Sequence, residues 1–308
     1  MPIDFRCAFI ARMKRIMKFV LAVAACALCA CGGLKKSGRG ATASDLRSAI
    51  ESEKSLVAFW DFSENASGAG YPDFRGNFAL RDANASVKRV SGDGVFGAAC
   101  LEFNGENSYL VLPKQEVGAL DITKKVTVVA WVKRASGKHN CFVAGLWNEH
   151  SDGGKRQYGL FVSLPYYNGA DKVCGHISKS GKATAPFPYS VDYSASPEKV
   201  EVGKWVQVAM TYDGREIKSY VDGKFTASQP ELIEHTKGFA GYPDGLVQRK
   251  NPYYFPDAMA SNGSDFTVGS VLLKSGMGNF FHGRIAGVAV FNDVVDPSRF
   301  VLPSGANK

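Results

Sequence analysis

The side chains best suited to chemistry in this sequence lie at the ends of short apolar runs and in one long loop-like segment. They combine aromatic rings with amide, carboxylate, guanidinium and imidazole groups. Sugar-binding sites use this mixture to cover C–H surfaces and to bond hydroxyls. We therefore expect a site for a polyhydroxylated ligand. Its candidate residues are Trp147, Asn148, Glu149, Arg156, Gln157, Tyr158, His176, Asn251, Tyr253, Tyr254 and Asn279.

Each candidate also has a structural interpretation. Trp147 suits the core as well as it suits a ligand platform, and Glu149 and Arg156 can pair across the loop that separates them. His176 is of a type more often hydrogen-bonded within its strand than in contact with a ligand. The two tyrosines of the long segment can simply hold that segment against the domain. The expectation of a shared groove is therefore stronger than the role of any one member.

The runs that must position these residues are typical of β-strands. Between residues 56 and 291, short β-branched and aromatic stretches are separated by Gly, Asn, Asp and Pro. The stretch WVQVAMTYDG at 205–214 is followed by a second run that ends at Asp222-Gly223, and such Asp-Gly pairs favour hairpin turns. The pattern predicts an all-β, two-sheet antiparallel jelly-roll sandwich. Asp213 and Asp222 are interpreted as turn residues.

The predicted organisation is a leader, a tether, one domain and a tail. We expect a lipoprotein signal peptide over residues 1–31, a Gly/Ser/Lys-rich tether over 32–48, the domain over 49–300 and a tail over 301–308. Ser44 is a candidate cap for a short helix over 45–53. Residues 179–200 and 229–264 are expected to be long insertions.

The formal charge of +8 lies almost entirely in the leader and tether. Residues 1–40 carry eight basic residues and one acidic residue, so they account for seven of the eight net positive charges. The rest of the chain is nearly neutral and has no basic stripe, which argues against a nucleic-acid partner.

The leader has the features of an export signal. Lys14, Arg15 and Lys18 precede an apolar run of 12 residues at 19–30, which is too short to span a bilayer. The end of the run is similar to a bacterial lipobox, with Cys31 as the favoured lipidated residue and Cys26 as the alternative. A diacylated cysteine would anchor the protein stably to the bacterial envelope, on its periplasmic or outer side.

The exported part keeps three cysteines, Cys100, Cys141 and Cys174. An odd number leaves at least one thiol unpaired within the chain. Cys141 and Cys174 lie in apolar runs, so we expect them to act as small buried hydrophobic residues.

Five motifs, in order along the chain, resemble the concanavalin A-like lectin/glucanase superfamily and its laminin-G-like domains. They are LVAFWDFSE (56–64), LEFNGENSYLVLP (101–113), LDITKKVTVVAWVKR (120–134), the hairpin at 205–224, and FTVGS (266–270) with FFHGRIAGVAVFNDVVDP (280–297). The resemblance implies two curved sheets, with ligand bound on the concave face or at the rim. Ala286-Gly287 replaces an Asp-Glu pair of many relatives, so calcium is unsupported and we expect no cofactor and no metal site.

The family includes lectins and enzymes, so the fold does not decide the activity. A retaining glycosidase needs two carboxylates about 5 Å apart, and the E-x-D-x-x-E string of jelly-roll hydrolases is absent here. Nor is there a G-x-S-x-G elbow, a phosphate loop or zinc spacing. We therefore expect a carbohydrate-binding module without catalytic residues. The alternatives are a structural or protein-interaction lipoprotein with envelope proteins as partners, and a divergent glycoside hydrolase or polysaccharide lyase.

Overall fold

The computed structural model describes residues 42–63, 70–149, 154–184, 192–234 and 245–302, without the side chain of Ala98. The predicted signal peptide with Cys31 and Cys26, the tether up to residue 41 and the tail from residue 303 lie outside the described residues. No helix in the described part is long and apolar enough to cross a bilayer.

The described chain consists mainly of strands. The strands are β1 (Leu56–Trp60), β2 (Tyr71–Pro72), β3 (Ala79–Asp82), β4 (Lys88–Gly94), β5 (Gly97–Asn104), β6 (Leu110–Leu112), β7 (Val126–Arg134), β8 (Cys141–Leu146), β9 (Tyr158–Leu164), β10 (Gly169–Ile177), β11 (Tyr193–Lys199), β12 (Trp205–Tyr212), β13 (Glu216–Val221), β14 (Lys224–Phe225), β15 (Pro230–Ile233), β16 (Leu246–Arg249), β17 (Tyr253–Tyr254), β18 (Phe266–Val268), β19 (Val271–Leu273), β20 (Gly276–Gly278) and β21 (His282–Phe291). One α-helix, α1 (Ala43–Glu51), precedes them, and 3-10 turns lie at Gly118–Leu120, Tyr166–Asn168 and Pro297–Phe300.

Two large antiparallel sheets form the predicted sandwich. The nine-stranded sheet has the order β14-β13-β12-β7-β21-β5-β4, with β1 also paired to β21 and β17 to β13. The eight-stranded sheet has the order β11-β10-β9-β8-β18-β6-β3-β2. Two small hairpins, β15-β16 and β19-β20, are separate from both. The expected all-β jelly-roll sandwich is therefore confirmed.

The Asp-Gly pairs make the turns predicted for them. Gly214 follows β12 with a φ of 95°, and the β12–β13 register pairs Tyr212 with Ile217. Asp222 and Gly223 have φ values of 47° and 72°, the left-handed conformations that a two-residue turn between β13 and β14 needs. The Asp213 carboxylate accepts the N–H groups of Arg215 and Glu216 in its turn, and the Asp222 carboxylate accepts the N–H group of Gln207 on the neighbouring β12. Both residues are structural, as predicted.

The main core lies between the sheets, where alternate residues of each strand point inward. Val128, Ala130 and Val132 of β7 belong to this core, while Trp131 between them belongs to a second cluster on the outer face of the nine-stranded sheet. Trp131 Nε1 donates to the carbonyl of Phe300 at 3.1 Å, which ties the final 3-10 turn to that face.

Helix α1 starts earlier than predicted. Its cap is Thr42, not Ser44, and Thr42 and Asp45 bond each other's backbone N–H groups in a capping box. The helix spans Ala43–Glu51, and its apolar face buries Leu46 and Ile50 in the second cluster. The part of the predicted tether from residue 42 to residue 48 is thus packed structure, because this apolar stripe needs a partner surface.

The two predicted insertions contain strands, and the three cysteines of the domain are buried. The expected insertion at 179–200 contains β11, which extends the eight-stranded sheet, and the expected insertion at 229–264 contains β15, β16 and β17. Cys100, Cys141 and Cys174 are unpaired and buried, and for Cys141 and Cys174 burial was expected.

Candidate functional site

A third apolar cluster lies on the outer face of the eight-stranded sheet and includes the predicted site residue Trp147. Its rings include Phe142, Trp147, Phe161 and Tyr193. The imidazole of His176 lies among them, with its centroid 4.9 Å from the Trp147 ring, 5.3 Å from Phe161 and 4.7 Å from Tyr193. The sheet thus brings Trp147 and His176 together, as the groove hypothesis requires.

A glycine makes room for these rings. Gly159 of β9 pairs with Gly145 of β8 on one side and with His176 of β10 on the other. A Cβ at Gly159 would lie 3.0 to 3.2 Å from ring atoms of Phe161, Phe142 and Trp147. The space that these rings fill therefore depends on the missing side chain of Gly159.

This packing makes the prediction of Trp147 as an open stacking platform wrong. Trp147 is 2% exposed, and its Nε1 donates to Glu149 Oε1 at 2.8 Å. Glu149 Oε2 in turn lies 3.9 Å from Arg156 Nη2. The core interpretation of Trp147 and the ion-pair interpretation of Glu149 and Arg156 are therefore the ones that the structure supports.

Gln157 and Tyr158 are buried, and their side chains form hydrogen bonds with the loop at residues 120–122. Gln157 Nε2 donates to Asp121 Oδ1 and to the carbonyl of Ile122, both at 2.8 Å. The Tyr158 hydroxyl donates to the carbonyl of Leu120 at 2.8 Å and its side chain faces the main core. The prediction that these two residues contact a ligand is wrong, because neither side chain reaches the surface.

His176 is the centre of a buried polar group. Burial lowers the pKa of His176 well below its usual value, and the nearby charges of Lys250 and Arg156 lower it further. Its Nδ1 has no hydrogen-bond partner among the described residues. The imidazole is therefore neutral in the folded protein at ordinary pH.

Two members of this group, Lys250 and Asp192, were not among the site residues predicted from the sequence. The Lys250 ammonium lies 3.6 Å from the Tyr193 ring centroid and 5.3 Å from that of Tyr253. Burial lowers the pKa of Lys250 to about 7. Burial also raises the pKa of Asp192, although a hydrogen bond from Thr184 opposes the shift. The only sequence signal was the position of Lys250 next to Asn251 and two tyrosines.

The remaining candidates are dispersed. Asn251 is buried and bonds the backbone of Ser219 and Thr226, so its prediction as a ligand residue is wrong. Tyr253 is buried against the core, whereas Tyr254 is 60% exposed on β17, at the nine-stranded sheet. Asn279 occupies a left-handed turn, and its carbonyl accepts from the N–H of Phe142. Within the part of the chain that the structure describes, none of these four residues lines the cleft beside Trp147.

Chemically, the buried group holds acid–base side chains that a ligand does not reach. His176, Tyr193 and Lys250 are 3%, 1% and 0% exposed. An accessible site exists beside them, in a cleft of about 80 Å³ lined by Trp147, Asn148, Tyr109, Ser264, Asp265, Thr267, Leu272 and Met277. Within the described residues, no three His, Cys, Asp or Glu side chains come together as a metal site.

Comparison with known proteins agrees with this architecture. Residues 104–243 match a laminin G model described as the Concanavalin A-like lectin/glucanases superfamily. The chain is thus similar to that superfamily over these residues. The match confirms, over residues 104–243, the resemblance that the sequence motifs predicted. Among curated proteins, none matches the chain.

Several solved structures are similar to the chain at low identity. Domain 4 of AbnA, a GH43 extracellular arabinanase from Geobacillus stearothermophilus in complex with arabinotriose, is 17% identical with a TM-score of 0.49, and the match covers 80% of this chain and 96% of that domain. Trypanosoma rangeli sialidase is 16% identical with a TM-score of 0.43, over 80% of this chain and 32% of the sialidase. The binding domain of Paraclostridial Mosquitocidal Protein 1 is 14% identical with a TM-score of 0.42, over 80% and 51%. The chain thus spans about a third of the sialidase and half of the mosquitocidal domain.

Proposed function

We propose that the protein is a lipid-anchored, extracytoplasmic carbohydrate-recognition module that binds glycan without a cofactor and without turnover. The observation that carries the proposal is the cleft on the outer face of the eight-stranded sheet, in a domain of a lectin and glucanase superfamily. It sets one half-buried aromatic ring, Tyr109, beside the amide of Asn148 and the carboxylate of Asp265.

Each of these groups has a role that suits a sugar. The Tyr109 ring offers an apolar face to sugar C–H groups, and the amide and carboxylate offer donors and acceptors for hydroxyls. Asp265 is already oriented, because its Oδ1 accepts the N–H of Lys114 at 2.8 Å. The cleft is small, so one sugar ring edge fills it and we expect weak binding to a single unit. Avidity from many anchored copies on one surface would then supply useful affinity.

The experiment is a glycan array with the full-length protein in detergent, followed by titration with each glycan that binds. We expect Tyr109→Ala and Asn148→Ala to weaken binding about tenfold, the loss of one good contact each. The matched control is Tyr254→Ala, an exposed tyrosine far along the chain on the other sheet. EDTA is expected to leave binding unchanged. Binding that all three variants retain would contradict the site, and no binding to any glycan would favour a protein-interaction role instead.

The anchor is tested separately, by metabolic labelling with a clickable palmitate analogue. Cys31→Ser is expected to abolish the label and release the protein from the membrane fraction, because a single acylated cysteine carries the attachment. Cys26→Ser is the matched control and is expected to keep both. The reverse result would move the lipidation to Cys26.

One observation favours a second candidate function, catalysis. His176, Tyr193 and Lys250 adjoin one another, and a lysine whose pKa is lowered to about 7 suits a general base at neutral pH. Their burial argues against it. Incubation with uronate polysaccharides, followed by the ultraviolet absorbance of unsaturated product, decides the matter: an increase that Lys250→Met abolishes would establish a lyase, and a flat trace in all glycans would leave the binding proposal.

A further inference from the structure

A second, larger cleft lies at the outer face of the nine-stranded sheet, where β21 runs between β5 and β7. Its volume is about 510 Å³, against about 80 Å³ for the cleft at Asn148. That volume is within the range of small-molecule sites, about 300 to 1,000 Å³. Phe103 and Arg134 of its lining are buried, but Glu102, Lys133, His282 and Arg284 are half-exposed, so a ligand reaches these four side chains without any rearrangement.

The strand register builds the wall of the cleft. Arg284 of β21 is paired with Glu102 of β5 and with Lys133 of β7. Two residues earlier on β21, His282 is paired with Asn104. Because side chains alternate across a strand, Arg284 and His282 project from the same face. Two adjacent rows of polar side chains thus line one open surface.

The charges in the wall are paired with each other. The Arg284 guanidinium donates to Glu102 Oε2 at 3.0 Å and to Asp93 Oδ2 at 2.6 Å. Lys133 Nζ lies 3.3 Å from both Asp93 oxygens, and Trp205 Nε1 donates to Asp93 Oδ1 at 3.2 Å. Two cations and two carboxylates leave no net charge. An anionic ligand would have to displace a carboxylate from Arg284, whereas a neutral ligand can bond to the donors and acceptors that remain.

His282 supplies a directed hydrogen-bonding group next to this network. Its Nδ1 is bonded to Ser136 Oγ at 2.8 Å, which leaves Nε2 for a ligand. A Cβ at Gly105 would lie 2.8 Å from His282 Cβ, so the glycine lets the loop pack against the histidine and hold it. At Gly203, which also lines the cleft, an added Cβ would meet no atom within 4 Å, and this marks the open space above the wall.

We propose that this cleft is a second glycan-binding site, which takes a neutral oligosaccharide and makes the protein bivalent, with one site on each outer face of the sandwich. The choice of a sugar among neutral polyhydroxylated ligands rests on the proposed function. The assignment of the cleft as a binding site does not depend on it. The paired charged groups and the fixed imidazole can form directed hydrogen bonds with hydroxyl groups. Because the charges are paired, these groups select a ligand by hydrogen-bond geometry and not by its charge. Two such sites on opposite faces would let one anchored molecule cross-link two glycan chains.

The test is calorimetric titration of the full-length protein in detergent with xylotriose, cellotriose, maltotriose and trigalacturonate. Ala135→Trp fills the cleft from an exposed position and removes no hydrogen bond, and Ala135→Ser is its matched control. His282→Ala removes the directed group and serves where the tryptophan variant is poorly folded. We expect Ala135→Trp to abolish one of two binding events for a neutral trisaccharide, His282→Ala to weaken the same event about tenfold, and Ala135→Ser to change neither.

The outcomes separate this inference from the proposed function. A binding event that is lost in Ala135→Trp and kept in Tyr109→Ala supports the second site, whether or not the first site exists. Binding that is lost in Tyr109→Ala and unchanged in Ala135→Trp and His282→Ala overturns the second site and leaves the proposed function standing. Tighter binding of trigalacturonate at the cleft overturns the neutral ligand class. No binding of any trisaccharide by a folded protein overturns the inference altogether.

Discussion

On the outer face of the eight-stranded sheet, His176 and Lys250 are buried among aromatic rings, with Asp192 beside them. His176 Nδ1 and Asp192 Oδ1 have no hydrogen-bond partner among the described residues. On the outer face of the nine-stranded sheet, Asp93 and Arg284 stay half-exposed and pair at 2.6 Å. Similar polar side chains are thus buried without full pairing on one face, and paired in contact with water on the other.

Each face therefore makes stability depend on a different solution condition. A buried polar group interacts strongly with its surroundings because the local dielectric is low, so a change in its protonation alters stability, and salt screens it little. Paired groups at the surface contribute less and lose more of their interaction as salt is added. We therefore expect the stability of the fold to depend on pH through the first face and on ionic strength through the second.

The largest expected effect comes from Trp147→Ala. The indole is buried against Phe161 and His176, so its removal leaves a cavity and should lower the free energy of unfolding by about 3–5 kcal/mol. Tyr254→Ala removes an exposed ring and should cost less than about 0.5 kcal/mol. Urea titrations of the two variants measure the contrast. Equal losses would mean that the ring cluster adds nothing to the fold.

The second effect is a dependence of stability on pH that Lys250 causes. Burial lowers the pKa of Lys250 from its ordinary 10.5 to about 7 in the folded state. Between these values the unfolded chain binds a proton that the folded chain does not, so stability rises with pH, by up to about 1.4 kcal/mol per pH unit. Below about 7 both states are protonated and the rise ends. Lys250→Met should remove this slope.

Urea titrations at several pH values across that window provide the measurement. The matched control is Lys199→Met, because the Lys199 side chain is 69% exposed. We expect the control to follow the unmodified protein and Lys250→Met to diverge from both. The pKa of His176 is lowered as well, so its contribution is lost as pH falls below about 6.5, outside the window that isolates Lys250. Parallel curves for all three proteins would contradict the lowered pKa of Lys250 in the folded state.

The fold was predictable from sequence because its signals are local. The alternation within each strand, and the glycines that need left-handed turns at Gly214 and Gly223, each depend on a few neighbouring residues. The pairing of Glu149 with Arg156 was predictable for the same reason, since one short loop separates them. The cap of α1 was missed by two residues, which changed how much of the tether belongs to the domain.

The site was harder to predict because burial depends on contacts between distant strands. Trp147 is buried because the β8–β9 register pairs Gly145 with Gly159, and the missing side chain of Gly159 leaves space for the indole ring. Lys250 follows Gln248-Arg249 at the end of β16, and the approach of Tyr193 from β11, 57 positions earlier, helps to enclose it. Arg284 and Glu102 are 182 positions apart, so no short motif links them. The partners of these distant residues, and their exposure, were therefore not readable from the chain.

The smallest expected effect, and the sharpest contrast with the buried face, comes from Asp93→Asn. The amide keeps an oxygen for Trp205 Nε1, but its NH₂ group faces the donors of Lys133 or Arg284, so we expect a loss of about 1 kcal/mol. Burial raises the pKa of Asp93, yet the hydrogen bonds to it outweigh burial and lower the pKa overall. Its contribution is therefore present above about 4 and lost as pH falls further.

Salt then separates the two faces. In about 1 M NaCl the screening length is about 3 Å, so the difference between Asp93→Asn and the unmodified protein should shrink, while the loss caused by Trp147→Ala should not. Glu116→Gln is the matched control, because its ion pair with Arg81 is more exposed and should contribute little to stability in any salt. A loss at Asp93 that salt leaves unchanged would place its network in the same class as the buried group around His176. The charged wall of the larger cleft would then behave as a buried network and not as one in contact with water.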